Sequence, residues 1–331
     1  MPRVCFKIMK KTDLNRYDRL QKGSIFGDLA LRFRRARIHR GIQASGMEHR
    51  DYIFEGNKFH TYSTYAGRPP LILLHGFLDS SHTFRRIFSD LSDHFDICAV
   101  DVPGFGYSTM PAARELWHID AIARSLARFL GQGLEIKKPI LLSHSMGGLI
   151  SLHMQEYWRH TYGINYFSEL HMIAPGVLKF PPEEREEIRS HIFPRSTGEI
   201  QSLLKKLYFK NHPDLPGIIL SGLLRQWSNI SYEFLADNTT EFEDRIFFST
   251  QRLAGLKTKI HMYWGREDEL TSIKIGRKMK KVPLVKLHEF EGAGHALHLE
   301  DPQRFLEEFL KQSTEPRSAK IRHGQKIAWK N

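Results

Sequence analysis

The chain has 331 residues, 41% of them hydrophobic and 26% charged, with a net charge of +12 at neutral pH. That length supports one large α/β domain with a substantial core, and two cysteines exclude a disulfide framework and point to a reducing compartment. No run approaches the ~18 apolar residues of a membrane span, and the opening Val4-Cys5-Phe6-Lys7-Ile8-Met9 is too short and too polar for a secretory signal, so a cytoplasmic protein is expected.

The basic excess sits at the two ends: residues 1–50 carry +9, residues 311–331 carry +5, and the stretch between them carries −2. No nucleic-acid-binding motif accompanies this charge, which argues against a nucleic-acid partner. Within the first end, Phe26, Leu29, Ala30 and Phe33 fall at helical spacing among Arg32, Arg34, Arg35, Arg37 and Arg40. A basic amphipathic helix either lies on an anionic membrane surface or docks on the body with its basic face in water.

A hairpin is expected over residues 51–65, turning at Gly56-Asn57. Strand 70–75 follows as an unbroken apolar run, Pro70 to Leu74, as in a strand buried on both faces of a parallel sheet. It ends in His75-Gly76-Phe77. Strand 95–101 contains Cys98 and leads into Asp101-Val102-Pro103-Gly104-Phe105-Gly106-Tyr107-Ser108. A helix over 119–130 and strands at 139–143, 168–174, 259–264 and 284–290 complete the pattern. Alternating strands and helices argue for an α/β fold, a mostly parallel sheet covered by helices on both faces.

The rhythm breaks between residues 176 and 248. Pro181-Pro182-Glu183-Glu184 opens that insertion in the manner of a helix start, and helical stretches follow at 200–207, 218–227 and 231–237. We read it as a helical cap. Leu203, Leu204, Leu207, Phe209, Leu223, Leu224 and Trp227 are candidates for an acyl-chain pocket, or for the cap's own core. The expected organisation is a basic extension over 1–50, a core over 51–175 and 249–311, a cap over 176–248 and a basic tail over 312–331.

Four segments carry chemistry. Residues 141–149 read Leu-Leu-Ser-His-Ser-Met-Gly-Gly-Leu, a strand turning sharply into a helix. This is the layout of a nucleophile elbow, in which residues two before and two after the serine must be small. They are Ser143 and Gly147, and Ser143 departs from the usual glycine. Ser145 is the candidate nucleophile; neither cysteine has such a context. The amides of Phe77 and Met146 are the candidate oxyanion donors, and His75 reads as a packed loop histidine. After strand 259–264, Gly265-Arg266-Glu267-Asp268 offers Asp268 as the acid, with Glu267 and Glu269 read as solvated loop carboxylates. After strand 284–290, Gly292-Ala293-Gly294-His295 offers His295 as general base, singled out among 18 histidines by its place behind Gly-x-Gly at a strand end.

With Ser145, Asp268 and His295 in that chain order, the sequence from about Tyr52 to Lys311 resembles the α/β-hydrolase superfamily. The segment from Asp101 to Ser108 resembles the loop shared with epoxide hydrolases and haloalkane dehalogenases. Those carry aspartate as nucleophile, which the serine at position 145 argues against. Asp101 reads as a loop-organising residue. His-Gly-Phe, Ser-Met-Gly-Gly, Ala174-Pro175-Gly176, Trp-Gly-x-x-Asp and Gly-His resemble the monoacylglycerol lipase and bacterial lipase-esterase group. The resemblance implies ester hydrolysis, of acylglycerol or other lipid esters, with a small-molecule substrate and no metal or organic cofactor. Carbon–carbon bond hydrolysis and acyl transfer use the same triad, and a hydrolase-like binding protein is a third alternative.

Overall fold

A computed structural model describes residues 23–111, 116–179, 181–241 and 243–313. The first 22 residues, Cys5 included, and the tail beyond residue 313 lie outside the described residues, so most of the two basic ends does too.

Eight strands form one sheet: β1 (Glu48–Phe54), β2 (Asn57–Ser63), β3 (Pro70–Leu74), β4 (Asp96–Val100), β5 (Ile140–His144), β6 (Glu169–Ile173), β7 (Lys259–Gly265) and β8 (Val285–Phe290). Their order is β1-β2-β4-β3-β5-β6-β7-β8. The β1–β2 and β2–β4 pairs are antiparallel, and every pair from β4 to β8 is parallel. The apolar runs that predicted buried strands are the central ones: Leu71 to Leu74 and Ile140 to His144 are all buried. The edge strand β1 is largely exposed.

Helices α1 (Ile25–Ala44), α2 (Ile119–Arg128) and α3 (Met146–Tyr162) accompany the sheet. In α2, Ile119, Ile122, Ala123, Leu126 and Ala127 are buried, the one-sided stripe of a helix packed on a core. The α-helix stops at Arg128, short of the expected Leu130, and widens into a π-turn over Phe129–Gly133. That turn lays Phe129 flat on Phe59 with ring centroids 4.1 Å apart.

Between β6 and β7 lie α4 (Pro182–Ile192), α5 (Thr197–Leu207), α6 (Gly217–Trp227) and α7 (Ile230–Glu241). Pro182 occupies the first turn of α4, where its missing N–H costs nothing. Ser196 caps α5 by accepting from the Glu199 amide. Ile200, Leu204 and Leu224 form a small apolar cluster separate from the main core. Helix α8 (Pro302–Ser313) closes the described chain and buries Phe305, Leu306 and Phe309.

The parallel topology decides where chemistry is placed. In such sheets ligands meet the carboxyl ends of the strands. The loops after β3, β5, β7 and β8 emerge there and carry Phe77, Ser145, Asp268 and His295.

Candidate active site

Ser145 sits between the last residue of β5 and the first of α3, at φ 51° and ψ −119°. A non-glycine residue in that region is strained, and the surrounding structure has to hold it there. Two backbone bonds do so: the Ser145 N–H donates to the Ile173 carbonyl at 2.9 Å, and the Gly148 N–H donates back to the Ser145 carbonyl at 2.9 Å. The turn brings the start of α3 close against the end of β3. A Cβ on Gly147 would lie 2.6 Å from the carbonyl oxygens of both Leu74 and His75. The departure at Ser143 is accommodated: its hydroxyl is fully buried and lies 3.3 Å from the His171 carbonyl and 3.4 Å from the Ser151 hydroxyl.

His295 is 1% exposed. Its Nδ1 lies 2.9 Å from Asp268 Oδ2 and 3.1 Å from Thr271 Oγ1. Asp268 is itself held: Oδ1 accepts from the Leu270 and Thr271 amides, both at 2.8 Å, and Oδ2 accepts from the Thr271 hydroxyl at 2.9 Å. With Nδ1 donating to a carboxylate, Nε2 is left as the basic nitrogen.

The neighbouring acids play other parts. Glu269 is exposed beside Lys206. Glu267, expected as a solvated loop carboxylate, instead accepts from the Gly292 and Ala293 amides at 2.8 and 3.1 Å. It braces the loop that carries His295.

On the β3 side, His75 is buried and accepts from the Val102 amide at Nε2, so its Nδ1–H donates to the Gly76 carbonyl at 2.7 Å. It fixes the loop whose next residue, Phe77, stands edge-on to Phe105, Phe193 and Tyr232 at 5.6–5.9 Å. Among the described residues, neither the Phe77 nor the Met146 amide donates to a backbone carbonyl. Both residues line the same cavity as Ser145 and His295. Asp101 is buried and organises its loop, accepting from the amide and hydroxyl of Ser81 and from the Tyr107 amide.

Several residues went unnoticed in the sequence. His144, adjacent to the serine, packs 4.9 Å from the His295 ring and 4.7 Å from the His298 ring. Burial holds His144 well below the usual histidine range and lowers His298 to about 3. Both are neutral at pH 7 and add no charge beside His295. Glu300 accepts from the Gly294 amide at 2.7 Å and from the Phe209 amide at 3.2 Å, and also from the Lys210 amide. It ties the end of α5 to the His295 loop.

The cavity above these residues has a volume of about 740 Å³. Of the expected pocket residues, Leu203, Leu204, Leu207, Leu223 and Trp227 line it. Leu224 packs with Ile200 and Leu204 in the small cluster of α5 and α6, and Phe209 is 45% exposed and outside the lining. No group of three or more metal-ligating side chains occurs among the described residues.

A family model described as alpha/beta hydrolase fold matches residues 69–157, which include β3, β5 and the turn at Ser145. The chain is 26% identical to an uncharacterized hydrolase, YugF, of Bacillus subtilis (strain 168), over 76% of this chain and 92% of that one. The chain has the α/β-hydrolase fold.

This hydrolase is also 23% identical to a pimeloyl-[acyl-carrier protein] methyl ester esterase of Vibrio vulnificus (strain YJ016), over 75% of this chain and 96% of that one. Among solved structures it is similar to a membrane phospholipase A described as a bacterial virulence factor, with a TM-score of 0.71 and 19% identity, covering 86% of this chain and 90% of the other. No helix of the hydrolase's described residues is long and apolar enough to cross a membrane.

Proposed function

We propose that this hydrolase cleaves carboxylic esters, those of lipid type in particular, through an acyl-enzyme formed on Ser145. One observation carries the reading. Ser145 and His295, the latter backed by Asp268 at 2.9 Å, line a single cavity whose cap side is formed by Leu203, Leu207, Leu223 and Trp227. A strained, half-buried serine facing the cavity, a buried histidine with one nitrogen left over and an apolar wall suit an ester with a hydrocarbon chain.

The steps follow from the roles these groups suit. His295 Nε2 takes the proton as Ser145 Oγ attacks the ester carbonyl. Asp268 accepts from Nδ1–H, fixes the ring and stabilises the imidazolium that forms. The developing oxyanion is met by the amides of Phe77 and Met146, and removing one such donor costs about 10²–10³ in rate. The imidazolium then protonates the leaving alcohol, and water activated by the same nitrogen releases the acid. Relatives described as a methyl ester esterase and a phospholipase support the ester class.

The test is turnover of an ester series from short to long acyl chains, with Ser145→Ala as the blank. The expected result is turnover that rises with chain length until the cavity is filled, and that is lost in the blank with the fold intact. Equal turnover in the blank sinks the assignment of Ser145. Cleavage of a vinylogous diketone in place of esters sinks the ester reading while keeping the triad.

A further inference from the structure

Helix α1 meets the body by the face opposite to the one its apolar spacing singled out. Gly27, Leu31 and Ile42 are its buried residues. Gly27 packs against α6 so closely that a Cβ on Gly222 would lie 2.1 Å from the Gly27 carbonyl oxygen. Ser24, the N-cap of α1, has its amide held by the Ser221 hydroxyl at 2.9 Å, and Arg35 reaches Gln226 on α6. The helix is therefore fixed in rotation, and what it shows to water is a property of the fold.

What it shows is apolar. Ile25 is 73% exposed, Phe26 75%, Leu29 52% and Phe33 68%, with Ile218 of α6 at 51% beside Gly27. At 100° per residue, Ile25, Leu29 and Phe33 form one stripe along the outer face, with Phe26 on its flank. The next positions on that face are Arg37 and Arg40, both exposed and, among the described residues, without an acid partner. The outer face thus has a hydrophobic first half and a cationic second half. Large apolar side chains in a contiguous exposed row mark a contact surface, and arginines flanking them specify an anionic one.

We propose that this face of α1 seats the hydrolase on an anionic lipid surface, with Phe26, Leu29 and Phe33 inserted among the acyl chains and Arg37 and Arg40 among the headgroups. The charge pattern favours lipid over a second copy of this chain, because two copies would bring the same arginines together. The position of the helix favours it too. Phe33, Arg34 and Arg37 line a shallow groove with Arg85 and Ile219, and Arg34 and Arg85 also line the main cavity. A lipid leaving the bilayer at α1 would meet a groove that abuts the reaction site. This inference rests on the ester reading only for its purpose; the binding itself does not need turnover.

The experiment is sedimentation of the full chain, carrying Ser145→Ala to silence hydrolysis, with vesicles of phosphatidylcholine alone or with about 30% phosphatidylserine. The expected result is binding to the anionic vesicles and little to the neutral ones. Adding Phe26→Glu and Leu29→Glu should weaken that binding by about tenfold or more. The same two substitutions with Ser145 intact should leave turnover of a short soluble ester unchanged, which shows that the fold survives. No binding of the parent to anionic vesicles overturns the proposal. So does equal binding by the Phe26/Leu29 variant, since attraction would then reside in the basic ends alone. A parent that is dimeric, with the variant monomeric and neither bound to vesicles, assigns the face to a second copy. Failure of the soluble-ester assay with intact vesicle binding would instead count against the ester reading.

Discussion

Asp268 holds His295 through one oxygen and is held through the other: Oδ2 lies 2.9 Å from His295 Nδ1 while Oδ1 accepts the amides of Leu270 and Thr271. Asp268→Asn keeps the shape and removes the carboxylate that stabilises an imidazolium. The expected loss is about 10²–10⁴ in kcat with the fold retained. Glu269→Gln, at an exposed site, is expected to leave turnover unchanged. Rates for an activated ester, compared with far-ultraviolet circular dichroism, check both; a Glu269 variant as impaired as the Asp268 variant would move the acid assignment.

Small residues around Ser145 do unequal work. Gly147→Ala drives a methyl against two backbone carbonyls of the β3 loop, neither of which rotates away. Overpacking of this kind costs about 1–3 kcal/mol, and the displaced loop carries Phe77, so turnover should fall with stability. Ser143→Gly restores the commoner motif but gives up two long hydroxyl contacts and adds a flexible residue to a strand. About 1 kcal/mol of stability should be lost with turnover retained. Urea unfolding and steady-state rates on both variants separate the two outcomes.

The strand-to-helix turn at Ser145 and the Asp268–His295 contact were legible because their signals are local: such a turn needs a small residue at Gly147, and a histidine after Gly-x-Gly at a strand end stands out. The parts that were illegible depend on contacts between distant segments. Helix α1 turns Phe26 and Phe33 outward because its docking is a backbone approach through Gly27 and Gly222, so the apolar period that the sequence does show lies on the face away from the body. Glu267 and Glu300 look like any loop acid until folding brings the amides of Gly292, Ala293 and Gly294 to them. Leu207 and Phe209 are alike in sequence, yet of the two only Leu207 lines the cavity: α5 ends at Leu207, the backbone is extended at Tyr208, and Tyr208 lines the cavity while Phe209 is exposed.

Glu300 joins the chain just after α5 to the loop that carries His295. Its carboxylate takes the amides of Phe209, Lys210 and Gly294, so Glu300→Ala leaves three donors without their acceptor. The expected cost is about 2 kcal/mol of stability, together with a raised KM as the end of α5 loosens over the cavity. Thermal melts and KM for a long-chain ester test this. An unchanged KM would mean that α5 is positioned without Glu300.

Buried histidines make the fold acid-sensitive. Burial lowers His82 and His153 to about 4 and His261 and His298 to about 3. Above the unfolded value of ~6.5 these rings are neutral in both states. Below it the unfolded chain binds protons that the folded chain does not, so stability falls as pH drops, until the folded values near 3–4 are reached. Each ring contributes about 1.4 kcal/mol per pH unit across that window. His153 illustrates why: its ring N–H is spent on the Ile246 carbonyl at 2.8 Å inside the core, with no solvent to receive a second charge. Melts at about pH 7.5, 6.5 and 5.5 should show little change over the first interval and a clear fall over the second. A midpoint that holds steady to pH 5.5 would mean these rings reach solvent in the folded protein.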